Sequence, residues 1–284
     1  MRIWDILAMG LIVIIALSGR SWYGNDTQPP IGRRPAIGAI QSPNLPSLPD
    51  RAETSPVISI SLEEKQQSST GTAFSIDSSG TWITARHVAD GCDKIALQKG
   101  HRKFVRIGRV WHHPNSDISV LKTNGGSPPF PGIQKDTSRG QHGYSFGFPK
   151  GKPGDVHGQI IGKRTMRVEG RYSTREPVLA WTQIQRVPDM GPHLGGISGG
   201  PWVNSAGKII GVHVAGAPRR GRSYSATSES LLNFLQRIGI QKKDSSFDTK
   251  KFKVNARDFS TVGNRLRQQL TIAKVFCLVG DRWR

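Results

Sequence analysis

Three short segments carry residues whose chemistry depends on their being brought together. Gly195-Gly196-Ile197-Ser198-Gly199-Gly200-Pro201 sets one serine among four glycines. A serine hydroxyl is a weak nucleophile unless it is exposed, aimed and relieved of its proton by a neighbour. Glycines allow positive-φ turns and let the backbone come close to a substrate carbonyl. The amides of Gly196 and Ser198 can then face one hollow and receive the charge of a tetrahedral oxyanion. Such a serine needs a base, and Thr84-Ala85-Arg86-His87-Val88 places a histidine where an apolar strand meets a loop. An imidazole in turn needs a partner that fixes its tautomer and stabilises its charged form. Asp117, in His113-Pro114-Asn115-Ser116-Asp117-Ile118, stands just ahead of an apolar strand. There a carboxylate is costly unless hydrogen-bonded. Taken singly, the serine segment also reads as a glycine-rich hairpin, His87 as a structural histidine and Asp117 as a turn residue. Each motif occurs once, in the order His, Asp, Ser, and this joins them as a candidate catalytic triad.

The elements that must position these residues read as short strands. Glycine (33) and proline (18) are plentiful, aromatics make up 7%, and apolar runs mostly end in turn signals after four to eight residues. The pattern predicts an all-β fold. Strands are expected at Val57–Leu62, Thr72–Ile76, Thr81–Ala85, Lys94–Leu97, Val105–Trp111 and Ile118–Leu121. After the break Asn124-Gly125-Gly126-Ser127-Pro128-Pro129 a second set follows at Gly143–Phe148, Gln159–Ile161, Pro177–Thr182, Pro201–Asn204 and Lys208–Val214. Two such runs fit two tandem six-stranded antiparallel barrels, about 56–124 and 130–236, within a domain spanning 56–240. Leu231, Leu232, Phe234 and Leu235 have helical spacing, with Thr227 or Ser228 placed to cap a closing helix.

Ahead of this domain, Met1-Arg2 and the apolar run Ile6–Leu17 read as a signal peptide or a short membrane anchor within 1–20. The run is shorter than a bilayer span requires. Residues 21–55, with Pro29-Pro30, Pro35, Pro43, Pro46 and Pro49, read as a linker. Export, to the periplasm or outside the cell, is the expectation. If the chain is exported, Cys92 and Cys277 can pair, provided the fold brings them within bridging distance.

The net charge is +20, and Gln241–Arg284 holds eleven Lys/Arg against four Asp. Lys250, Lys251, Lys253, Arg265 and Arg267, interleaved with Phe247, Phe252 and Phe259, make residues 241–284 a basic C-terminal extension. It reads either as a solvated segment or as a contact for an anionic surface or polymer, with nucleic acid the less favoured partner. No phosphate loop or metal-ligand spacing appears, so neither a cofactor nor a metal is expected. The sequence leaves the oligomeric state open.

The segments around His87, Asp117 and Ser198 resemble the trypsin-like serine peptidases of the chymotrypsin-fold superfamily, over about Ser61 to Leu235. The intervals of 30 and 81 residues between the three, and Ser145-Phe146-Gly147-Phe148-Pro149, are closer to the bacterial HtrA/Deg-type peptidases. Only 49 residues follow Leu235, too few for the PDZ domain those proteins usually carry. The resemblance implies peptide-bond hydrolysis, polypeptide substrates and an oxyanion hole at Gly196 and Ser198. It also implies a substrate-binding edge strand through His213, Val214, Ala215 and Gly216. A histidine at 213 is similar to that of relatives selecting glutamine or glutamate at P1, the residue ahead of the cleaved bond. Ile197 stands where digestive relatives have an aspartate, so activation by a newly cut N-terminus is not expected. A protease-fold binding module without turnover, tethered at the membrane, is the alternative reading.

Overall fold

A computed structural model of the chain describes residues 57–191, 193–217, 220–240 and 252–280. The expected leader 1–20 and linker 21–55 lie outside these residues, as do Phe247, Lys250 and Lys251 of the basic stretch. The first elements in chain order are β1 (Val57–Ser61), β2 (Ser69–Ser75), β3 (Thr81–Thr84) and helix α1 (Arg86–Ala89). Then come β4 (Lys94–Gln98), β5 (Phe104–Arg106), β6 (Arg109–His112) and β7 (Ser119–Lys122). After these follow β8 (His142–Gly147), a 3-10 turn (Pro149–Gly151), β9 (Gly154–Glu169) and β10 (Thr174–Val187). The chain continues with β11 (Pro201–Val203), β12 (Ile209–Ala217), β13 (Arg222–Thr227) and α2 (Ser228–Arg237). It ends in α3 (Phe259–Gln268) and β14 (Ile272–Leu278).

The strands form two seven-stranded sheets, where six strands each were expected. One has the order β5-β4-β14-β2-β3-β7-β6; the other runs β1-β9-β10-β13-β12-β11-β8, with β8 also pairing β9. Pairing in the second sheet therefore returns on itself through β8 to β13. Its interior is filled by Val156, Ile160, Leu179, Ile197 and Ile210 around Trp181 and Trp202, whose rings stack 4.0 Å apart.

Both extra strands depart from a simple tandem arrangement. β1 pairs parallel to β9, Val57 opposite Thr165 and Ser61 opposite Glu169, although it precedes the first sheet in sequence. β14 enters the first sheet between β2 and β4, with Ile272 opposite Phe74 and Phe276 opposite Ala96. Without it those two strands would expose unpaired edges. The basic stretch was expected to lie outside the barrels; instead its second half is structural. Phe252, Phe259, Val262 and Leu266 are buried, and Phe252 packs against Phe130 at 5.8 Å. Arg267 of α3 grips buried Asp155 of β9 through both carboxylate oxygens, at 2.6 and 2.8 Å. Lys253, Arg257 and Arg265 remain exposed.

Cys92 and Cys277 form a disulfide across 185 residues, with Cα atoms 5.4 Å apart. Closing a loop of that length restricts the unfolded chain by ~5 kcal/mol in the chain-entropy account. Helix α2 is capped as expected, the Thr227 hydroxyl accepting from Ser230 N at 3.1 Å. It buries Leu231, Phe234 and Leu235.

Candidate active site

His87 sits in α1, the single turn that ends β3. Its side chain retains 23% of its exposure, whereas the Asp117 side chain retains 4%. Their atoms Nδ1 and Oδ2 are 2.7 Å apart. Asp117 Oδ1 also accepts from the His87 amide at 2.8 Å and from the Tyr172 hydroxyl at 2.8 Å. Three donors thus fix one buried carboxylate, and the imidazole has little freedom to turn. Burial of His87 works to lower its pKa, but the charge and hydrogen bond of Asp117 outweigh it and the net direction is upward. Arg171 opposes that rise; it donates to the His87 carbonyl at 3.1 Å.

Behind Asp117 lies a second carboxyl. Glu176 of β10 is 2% exposed; it accepts from the Asp117 amide at 2.7 Å and is hydrogen-bonded to the Ser116 hydroxyl. Burial pushes its pKa up to about 8, with the Asp117 charge adding to the rise against the pull of its hydrogen bonds. Tyr172 and Glu176 come from the turn and second strand of the long β9–β10 hairpin, which reaches across to the aspartate.

The serine loop is held from both sides. Ser198 O accepts from Thr72 N at 2.8 Å, and the Thr72 hydroxyl donates to Gly196 O at 2.8 Å. That hydroxyl also accepts from Phe148 N at 3.1 Å. On the β12 side, Gly199 N donates to His213 O and His213 N to Gly200 O, both at 2.8 Å. A Cβ built on Gly199 would lie 2.8 Å from Ala85 N, so the serine loop abuts the segment bearing His87. Among the described residues the Ser198 hydroxyl makes no hydrogen bond to His87. Such bonds often tighten only once substrate is bound.

Gly196 has φ of 98°, and a Cβ there would meet Phe148 O at 2.6 Å. Only glycine fits. Ile197, 1% exposed, anchors the loop by packing into the second core, a place no charged side chain could take without a buried partner. The loop's own bonds run from Ile197 N to Leu194 O and from Gly200 N to Ile197 O. The amides of Gly196 and Ser198 donate to no acceptor among the described residues, which leaves both open to a ligand.

Beside Ser198 lies a cavity of about 230 Å³, lined among others by Gln183, Leu194, His213, Ala215, Gly216 and Arg222. The register of β12 on β13 shifts between His213 and Ala215, and both residues line the cavity. His213 is buried, stacked over Trp202 at 6.0 Å. Burial, with His87 nearby, pushes its pKa down to about 3, so the ring is uncharged. Its Nδ1 has no hydrogen-bond partner, and neither does Gln183 Oε1. Gln183 Nε2 is engaged, donating to Arg222 O at 3.1 Å and to Ser223 Oγ at 2.8 Å. Val214, 4% exposed, packs into the core and does not line the cavity. β12 was expected to be an edge strand, yet its first half pairs with β11 as well as β13 and His213 is bonded to the serine loop; only beyond His213 is one side free.

Thr72, Tyr172, Glu176 and Gln183 are site residues that the sequence did not single out. Each acts through long-range contact, and none stands in a local motif. Among the described residues no group of three or more His, Cys, Asp or Glu could hold a metal ion.

A curated relative from Pseudomonas fluorescens, a probable periplasmic serine endoprotease described as DegP-like, is 27% identical over 189 residues. The match covers 63% of this chain and 38% of the relative. An uncharacterized protein from Sinorhizobium fredii is 25% identical over 218 residues, covering 72% of this chain and 33% of its own length. The chain thus spans between about a third and two fifths of the length of these relatives. Among solved structures, a protease from M. tuberculosis in its active form superimposes with a TM-score of 0.52 at 18% identity. It covers 67% of this chain and 92% of that one, and shares the fold. The family model for the trypsin-like peptidase domain matches residues 71–212, a span that takes in His87, Asp117 and Ser198 and ends within β12, at Val212. By that match, which covers half of its length, the chain belongs to the trypsin-like peptidase domain family.

Proposed function

We propose that the chain is a serine endopeptidase in which Ser198 is the nucleophile, His87 the general base and Asp117 the residue that orients and charges the base. The observation that carries this is the His87–Asp117 pair, 2.7 Å apart and buried on the carboxylate side, abutting a serine loop with two unoccupied amides. His87 Nε2 takes the Ser198 proton as Oγ adds to the scissile carbonyl. The imidazolium is stabilised by Asp117, and the oxyanion by the amides of Gly196 and Ser198. Collapse expels the amine, which takes the proton from His87, and leaves an acyl ester on Ser198. Water, deprotonated by the same imidazole, then hydrolyses the ester. Removing a single oxyanion donor typically costs ~3–4 kcal/mol in such a step.

The cavity beside Ser198 suits a P1 side chain that forms hydrogen bonds. Neutral His213 and the unpartnered Gln183 Oε1 together match a primary amide, which accepts from one and donates to the other. A glutamine amide satisfies both groups at once, whereas a glutamate offers Gln183 Oε1 no donor and would depend on Arg222, the cation that also lines the cavity. The free half of β12, through Ala215 and Gly216, pairs with the substrate backbone. The Cys92–Cys277 bridge belongs to an oxidising compartment. It supports export, as does the periplasmic relative. Among the described residues of the basic stretch, exposed Lys253, Arg257 and Arg265 are the cations available to an anionic surface.

The test is cleavage-site profiling of a peptide library by mass spectrometry, with Ser198→Ala as control. Cleavage after glutamine, absent in the control, is expected. Products identical in the two samples remove the peptidase reading, and cleavage mainly after large apolar or basic residues removes the P1 assignment.

A further inference from the structure

Beside the 3-10 turn that packs on the serine loop lies a groove of about 530 Å³, lined among others by Phe148, Pro153, Arg267, Leu270, Ile272 and Lys274. It is tied to the site by backbone contacts. Lys150 N, in the 3-10 turn that borders the groove, donates to Gly195 O at 2.6 Å. Phe148 O lies against Gly196, and a Cβ on Gly151 would sit 4.0 Å from Lys274 Nζ. Gly195 lines the P1 cavity as well. The cavity and the groove are therefore linked through Gly195 and the 3-10 turn bonded to it. If the acyl half of a substrate fills the cavity, the half that leaves as the amine runs toward the groove.

The groove's charge is one-sided. None of its lining residues is acidic. Arg267 is committed to Asp155, but Lys274 has no carboxylate partner among the described residues. Its ammonium instead lies 5.4 Å from the Phe148 ring centre and 5.8 Å from that of Phe276. It is half-buried, on the central strand β14. A cation held over two aromatic faces and lacking a counter-ion suits an incoming carboxylate.

We infer that this groove binds the part of a polypeptide substrate that follows the scissile bond, and that Lys274 selects an acidic side chain within its first few residues. The inference rests on the peptidase reading above. An extended peptide advances ~3.3 Å per residue, so a turn bordering the nucleophile loop is within reach of those positions. The C-terminal stretch thereby supplies a specificity determinant as well as a strand.

Internally quenched peptides sharing one acyl half, with glutamate, glutamine or lysine at the first three positions after the bond, provide the test. The readout is the ratio of kcat/KM for the glutamate and glutamine peptides within each variant, so that loss of folded enzyme cancels. Wild type should favour glutamate about five-fold at low salt, an exposure-limited ion-pair effect. Lys274→Gln should bring the ratio to about one, Lys274→Glu should reverse it in favour of lysine peptides, and Lys274→Arg should retain it. A wild-type ratio near one, or a preference that survives Lys274→Gln, overturns the inference. A peptidyl anilide, which has no residues after the bond, is assayed alongside. Its hydrolysis by wild type but not by Ser198→Ala locates any failure in the groove, whereas no hydrolysis by either overturns the peptidase reading and this inference with it.

Discussion

Glu176 offers a perturbation whose size follows from its surroundings. Its carboxyl is 2% exposed and bonded to Ser116 and the Asp117 amide. Burial keeps it protonated up to about pH 8, against an ordinary value of 4.5. Between those values the native chain holds a proton that the unfolded chain has released. Native stability therefore falls as pH rises, by about 1.4 kcal/mol per pH unit, and this contribution is fully present only below the unfolded value. Glu176→Gln copies the protonated geometry: its carbonyl accepts from Asp117 N and its amide donates to Ser116. From about pH 5 to about pH 7.5 the variant should gain roughly 3 kcal/mol of stability relative to its parent. Urea unfolding at both pH values, in a Ser198→Ala background that prevents self-digestion, measures the difference, and the other titrating groups cancel. A difference that stays constant between the two pH values refutes the reasoning, since Glu176 would then be ionised in the native state.

Two further outcomes follow from the same geometry. Asp117→Asn removes the charge that raises the His87 pKa; activity, which needs the neutral imidazole, should fall ~10⁴-fold while its acid limb moves to lower pH. An unmoved limb in the kcat/KM profile would count against the pairing. Arg267→Ala leaves Asp155 buried and unpaired, at a cost of ~3–5 kcal/mol by denaturant unfolding. The double variant Arg267→Met, Asp155→Leu should recover most of that loss, and equal losses in both would deny the ion pair its place in docking α3.

The three motifs around His87, Asp117 and Ser198 were legible because each is a local signal: a residue with a chemical role among residues that shape its backbone. The strands were legible where a short apolar pair sits among small or β-branched residues and a turn bounds the run, as in β2 and β3, which are buried through Gly71–Ser75 and Thr81–Thr84 and flank the Asp77–Gly80 turn. β13 was missed because its inward residues are Ser223 and Ser225, fully buried yet polar, with Ser225 accepting from Trp181 Nε1 at 2.9 Å. The β9–β10 hairpin was seen only at its centre, since Lys163, Arg164 and Arg167 interrupt the apolar pattern of its outer half. β14 did carry a signal, Ala273, Val275 and Cys277 alternating on one face, but the surrounding positive charge obscured it. No local rule could place β14 between β2 and β4, or Tyr172 and Glu176 beside Asp117. Those positions depend on pairing between distant parts of the chain. The cysteines gave the one hint, and their bridge does fasten β14 beside α1.

The most direct measurement is the rate at which a fluorophosphonate probe labels Ser198 as pH is varied. Labelling in wild type should rise with a single deprotonation above pH 6.5, the ordinary histidine value that Asp117 raises. It should be absent in Ser198→Ala and slowed by at least ~10³-fold in His87→Ala. Wild-type protein that takes up no probe, or a Ser198 labelled equally fast without His87, would contradict the account.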